Sequence, residues 1–222
     1  MKLIPKEESI SYCIDICMES KELWEQFDLD YYDQLLHLKK KYGLPQGNYF
    51  LKESCKSVNN KISKAKEGLY IHHDKEWNPD DFECHSLSTP ELALEKPFDY
   101  QLSANLTYCN LLEHFLLHVK IHKLRRDVFG CEDIDGCEKF LIPQLNDMYI
   151  TRIYRKPHLV ATKEKIQNNY SDYMDLLVYY SNEFNKDLEY LRKLTLRDPN
   201  AFAWKSSAKL STSSILEDKN GE

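Results

Sequence analysis

Glycine is scarce, six residues in 222. None is grouped into a glycine-rich phosphate loop, and no G-x-S-x-G element is present. The chain therefore lacks the elements of P-loop nucleotide binding and of an α/β-hydrolase nucleophile elbow. No apolar run approaches the roughly 18 residues of a membrane span. The opening Met1-Lys2-Leu3-Ile4-Pro5-Lys6-Glu7-Glu8 is not followed by the hydrophobic stretch of a signal peptide. The expectation is a cytoplasmic protein with no membrane partner. The seven cysteines are odd in number and scattered, which suits reduced thiols rather than a disulfide framework. Cys131 and Cys137 bracket an acidic pentapeptide, and Cys84 adjoins His85 without a matching second pair. Neither spacing makes a zinc knuckle. There is no internal repeat.

What is present is the composition of a soluble globular chain, 42% hydrophobic and 30% charged, long enough for one or two domains with a real core. The informative stretch runs from Gly68 to Lys123. Leu69-Tyr70-Ile71 reads as a short strand, ended by His72 and His73 and followed by the turn formers Asp74, Asn78, Pro79, Asp80 and Asp81. Downstream of Asn105, the apolar positions Leu111, Leu112, Phe115, Leu116 and Val119 fit a helix. Asn110 with Glu113 makes a capping pair, so that helix begins near Asn110. His114 and His118 are then i and i+4 and project from one face, one turn apart. Two imidazoles so placed can share one divalent metal. The third ligand comes from elsewhere. Neighbours on a strand point to opposite sides, so one of His72 and His73 can ligate while the other stays available to act on water or substrate.

This order of residues, HH, then Asn, then H-x-x-x-H on a helix, resembles the HNH (ββα-metal) endonucleases, and most of all their colicin-type variant. The resemblance covers roughly residues 61–123. The C-x-x-C pairs found in many members are missing, so a structural zinc of that kind is not expected. The resemblance implies His72, His114 and His118 as metal ligands and His73 as the general base. It implies that Asn105 fixes the loop and helps to orient the base. Asp74 is a rival third ligand, and Glu113 is expected to cap the helix or touch the site from outside. A histidine suits the base because its ordinary pKa lies near working pH. A bound divalent ion would stabilise charge on the phosphate. Zinc or nickel suits three imidazoles, with magnesium or manganese as further options.

The net charge of −6 weighs mildly against a nucleic-acid partner, but the cations gather around the motif. Lys52, Lys56, Lys61, Lys64 and Lys66 precede it, and Lys120, Lys123, Arg125 and Arg126 end it; Arg152, Arg155, Lys156, Lys163 and Lys165 follow. Lys61, Lys64, Lys66, Lys120, Lys123, Arg125 and Arg126 are the candidate phosphate contacts, with His122 beside them. Solvated helix faces are the plainer reading of each cluster.

Elsewhere, residues 8–42 look helical, with a second helix from Tyr31 to Tyr42 stopped by Gly43. Asn48-Tyr49-Phe50-Leu51 fits a short strand or a helix start. Pro90 suits the first position of a short helix through Leu94. Residues 161–197 read as the longest helical stretch, with a stripe of Ile166, Tyr170, Tyr173, Leu176, Leu177, Tyr180, Phe184, Leu188 and Leu191. Such a stripe is core or a partner face more often than a base-stacking platform. From Ser206 the chain is polar and is expected to be disordered.

The resulting expectation is an α+β protein, mostly helical, with a small central ββα-metal core. The layout is an N-terminal helical region (1–60), the nuclease core (61–126), a C-terminal helical region (127–205) that could also mediate self-association, and a tail (206–222). The function expected is metal-dependent endonuclease action on DNA. The alternatives are a non-catalytic nucleic-acid or protein-binding module built on a structural metal, and a nuclease toxin acting on RNA.

Overall fold

A computed structural model of the chain describes residues 21–81, 86–130, 136–149, 154 and 156–196. The helical pattern at 8–20, the Cys84–His85 pair, Cys131, Arg152 and Arg155, and the polar stretch from Ser206 lie outside the described residues.

Residues 21–28 form helix α1. Asp30 then caps α2, Tyr31–Tyr42, by accepting from the Asp33 amide. The Gly43 amide closes α2 onto the Lys39 carbonyl at φ 77°. Both ends match the sequence expectation. Tyr31, Leu35 and Leu38 recur at helical spacing and bury one face of α2 against Trp77, Cys109, Leu117 and Ile121. The ambiguous 48–51 stretch is neither helix nor extended strand: Phe50 makes a single antiparallel bridge to Val58.

Strand β1, Tyr70–His73, pairs antiparallel with β2, Leu106–Cys109, in the register Tyr70↔Cys109, Ile71↔Tyr108, His72↔Thr107 and His73↔Leu106. Gly68 leads into β1 at φ 73°, and a Cβ there would lie 2.5 Å from the Ala161 carbonyl oxygen. Only glycine meets both demands. Between the strands, the described residues 74–81 and 86–105 carry their own structure: three-residue and four-residue 3₁₀ turns and the short helix α3, Pro90–Ala93, with proline in its first turn. The second strand had no sequence signature, since all four of its residues are buried and the usual alternation is missing.

One residue after β2, Asn110 starts α4, Leu111–Phe129. The expected capping box is complete: the Asn110 side chain accepts from the Leu112 and Glu113 amides, and Glu113 accepts from the Asn110 amide. Leu111, Leu112, Phe115, Leu116 and Val119 enter the main core. Leu117 and Ile121 enter the second core under α2. His114 and His118 occupy the strip between these two apolar faces.

A π-turn, Cys137–Leu141, runs into α5, Ile142–Tyr149. The helical stretch expected over 161–197 is three helices: α6, Pro157–Ile166; α7, Tyr170–Glu183; and α8, Leu188–Lys193. Asn185 breaks the second junction in a left-handed conformation, φ 51°, which asparagine tolerates better than most residues. Tyr173, Leu176, Leu177, Tyr180 and Leu191 are buried with Leu23, Ile142 and Leu145, so the aromatic stripe is core. The described residues are mostly helical with one small two-stranded antiparallel sheet, an α+β arrangement. Among them no helix is long and apolar enough to cross a membrane.

Candidate metal centre

The pleat of β1 sends His72 and His73 to opposite sides. His72 turns toward α4, where it meets the two histidines set one helical turn apart. Ring centroids lie 5.3 Å apart for His72–His114, 5.4 Å for His72–His118 and 4.8 Å for His114–His118. One nitrogen from each ring comes within 4.8 Å of the others. These three could hold one metal ion.

The surroundings hold the rings in place. The Tyr31 hydroxyl lies 2.9 Å from His72 Nε2 and donates to the Asp74 carbonyl at 3.0 Å. Tyr70 lies tilted beside His114, centroids 6.1 Å apart. Gly136 backs His118 so closely that a Cβ would come within 2.8 Å of Nδ1. His72 Nδ1 and His114 Nδ1 are buried without a hydrogen-bond partner. Such orphaned polar atoms each cost about 1–3 kcal/mol, and a shared cation would satisfy both.

Burial, reinforced by the neighbouring imidazoles, pulls His72 and His118 well below the ordinary histidine pKa. Burial, with His73 adding to it, takes His114 down to about 4. All three are thus neutral at neutral pH, the form that ligates a metal. Three neutral imidazoles fit zinc or nickel better than magnesium, which prefers oxygen.

Glu76 had no place in the sequence expectation. Its Oε2 stands 3.4 Å from His118 Nε2 and 3.7 Å from His72 Nδ1. A 3₁₀ turn, Asp74–Glu76, folds it back beside the strand end. The neighbouring carboxylate, Asp74, is the one weighed as a rival ligand. It is held away from the three histidines by Lys39 Nζ at 2.5 Å and by the Thr107 hydroxyl at 2.6 Å.

His73 is not brought to the three. Its Nε2 is 3.0 Å from Gln101 Oε1, and Gln101 in turn donates to the Leu87 carbonyl at 3.1 Å. The Tyr49 ring meets it edge-on, centroids 4.5 Å apart. Burial lowers its pKa to about 4, with Gln101 opposing. It is neutral, as a base must be, but only 1% exposed. Asn105 ties the loop before β2 by donating to the Asp99 carbonyl at 2.8 Å; the residue that holds His73 is Gln101.

The candidate phosphate contacts divide. Lys120 donates to the Gln26 and Leu29 carbonyls at the end of α1. Arg125 is buried. Arg126 binds the Glu183 carbonyl and carboxylate at 2.8 and 2.5 Å. Lys64 donates to the Tyr42 carbonyl and lies over the Tyr108 ring. Lys61, Lys66 and Lys123 are exposed.

No known protein family, no curated protein and no solved structure matches the chain.

Proposed function

We propose that this chain is a metal-dependent endonuclease of the HNH kind that hydrolyses phosphodiester bonds of DNA, with residues 70–129 as its ββα-metal core. The observation that carries the reading is the convergence of His72 from a strand with His114 and His118 from the helix that follows the second strand. In this reading His72, His114 and His118 hold the ion, and Tyr31 orients the His72 ring. The ion, when bound, supplies positive charge against the scissile phosphate. His73 takes the proton of the attacking water. Since Tyr49 and Gln101 cover His73, substrate entry has to displace the segment that carries Gln101.

A second reading has its own support. The burial of both His72 and His73 suits a structural metal in a binding module, whose loss would unfold the protein.

Nicking of a supercoiled plasmid, with and without chelator, tests the first reading. The expected outcome is nicking that chelator abolishes and that added Zn²⁺, Ni²⁺ or Mn²⁺ restores. His73→Ala should keep its metal by elemental analysis and lose about 10²–10⁴-fold in rate. Absence of nicking, together with a large drop in melting temperature on chelation, would favour the structural role.

A further inference from the structure

We propose that Glu76 is a fourth ligand of the metal and closes the site as a three-histidine, one-carboxylate centre. This rests on the reading of His72, His114 and His118 as ligands. It adds a residue that the HNH resemblance does not supply.

The argument begins with which nitrogen faces which way. A tyrosine hydroxyl has one proton. When the Tyr31 hydroxyl gives that proton to the Asp74 carbonyl at 3.0 Å, it accepts from His72 Nε2, 2.9 Å away. In that arrangement His72 carries its proton on Nε2 and presents a bare lone pair at Nδ1. That Nδ1 is buried, lacks a hydrogen-bond partner, and lies 3.7 Å from Glu76 Oε2. His118 turns Nδ1 toward Gly136 and Nε2 toward Glu76, at 3.4 Å. A carboxylate that merely oriented a ligand histidine would bond the nitrogen facing away from the metal. Glu76 faces the opposite, inward nitrogens. A cation placed between the Glu76 carboxylate and these two nitrogens would be held by all of them.

The distances agree. Bonds of about 2.0–2.1 Å to nitrogen and oxygen in a tetrahedral site place the donor atoms about 3.3–3.4 Å from one another. Glu76 Oε2 stands at 3.4 Å from His118 Nε2 and 3.7 Å from His72 Nδ1.

The local chain holds Glu76 there. Asp74 is fixed by Lys39 and Thr107, and Trp77 is buried in the core under α2. The single 3₁₀ turn between these two anchors aims the Glu76 side chain back at β1.

The test is titration of chelator-stripped protein with Co²⁺, read by its visible ligand-field absorption and by competition with a chromophoric chelator. Glu76→Gln is expected to bind Co²⁺ at least about 100-fold more weakly than wild type, beyond the upper end of losses typical of outer-shell partners, and with an altered spectrum. Glu76→Ala should weaken binding likewise, and added acetate should restore part of the wild-type spectrum by filling the vacated position. Circular dichroism of the stripped variants controls for folding. Wild-type affinity and spectrum in Glu76→Gln, with binding lost in His118→Ala, would overturn the role of Glu76 and leave the three-histidine site standing. Failure of the wild type to bind Co²⁺ at all would overturn that site, and Glu76 with it.

Discussion

His118 reaches the site because the residue behind it has no side chain. Gly136 has an ordinary helical backbone, φ −67° and ψ −45°, so a methyl group there carries no conformational penalty. The difficulty is space: its Cβ would lie 2.8 Å from His118 Nδ1 and 3.2 Å from Cε1. The imidazole would have to rotate away from His72 and His114. Gly136→Ala is therefore expected to weaken Zn²⁺ binding by roughly 10–100-fold, the range for losing the support of a ligand. Its melting temperature without metal should change little. Isothermal titration with Zn²⁺ checks this, and unchanged affinity would mean that the orientation of His118 is immaterial to the site. At this scale the pairing of His114 and His118 with one histidine of the strand was legible from spacing, because a strand pair and an i, i+4 pair each have one geometry; the choice of His72 over His73 came from the resemblance. Glu76 was not legible. Its position depends on the tie between Lys39 and Asp74, residues far apart in sequence, and no local pattern announces that contact.

Helix α4 organises the elements around it through the residue beside its first histidine. Glu113 is 2% exposed. It accepts from the Asn110 amide at 2.8 Å, from Lys41 Nζ at 2.9 Å and from the Tyr42 hydroxyl at 3.2 Å. One carboxylate thus closes the helix start and ties it to the end of α2. Removing one partner of a buried pair costs about 3–5 kcal/mol. Lys41 keeps some exposure and a second partner in Glu22, so Glu113→Ala is expected to cost about 2–4 kcal/mol in denaturant unfolding. A loss below about 1 kcal/mol would mean that the cap contributes little beyond an ordinary N-terminus. The caps also explain what could be read at this scale. Gly43, Asn110 and Glu113 mark the end of α2 and the start of α4 locally, and these fall where expected; Asp30 was read only as an exposed charge, although it caps α2. The stretch 161–197 is helical as expected, but its two breaks were not read, because Ile166, Tyr173, Leu177, Tyr180 and Leu191 feed one core. Their spacing continues across breaks signalled only by asparagines and by the capping Asp187.

Over the whole molecule, the charge pattern read from sequence separates into two groups with different consequences. Lys120 holds the Gln26 and Leu29 carbonyls at 2.7 and 2.6 Å, and burial lowers its pKa to about 8, with Asp30 and Asp28 opposing. Arg126 is bound to Glu183 on α7. These cations are tied to other parts of the fold. Lys61 and Lys66 are exposed just before β1, the strand that carries His72. If DNA reaches the metal site, these two are placed to meet its phosphates. Each phosphate neutralised on duplex DNA contributes about −0.9 to the slope of log affinity against log salt. Reversing Lys61 and Lys66 to Glu together should flatten that slope by about 2 and weaken binding to all sequences alike. Lys120→Ala should leave the slope unchanged. It should instead cost about 1.5–3 kcal/mol of stability, the scale of a hydrogen bond from a charged donor. Fluorescence anisotropy with a labelled duplex across a salt series, beside a thermal melt of each variant, separates the two groups. A slope that answers to Lys120 rather than to Lys61 and Lys66 would move the DNA to where the middle of α4 meets the end of α1, away from the entry to β1.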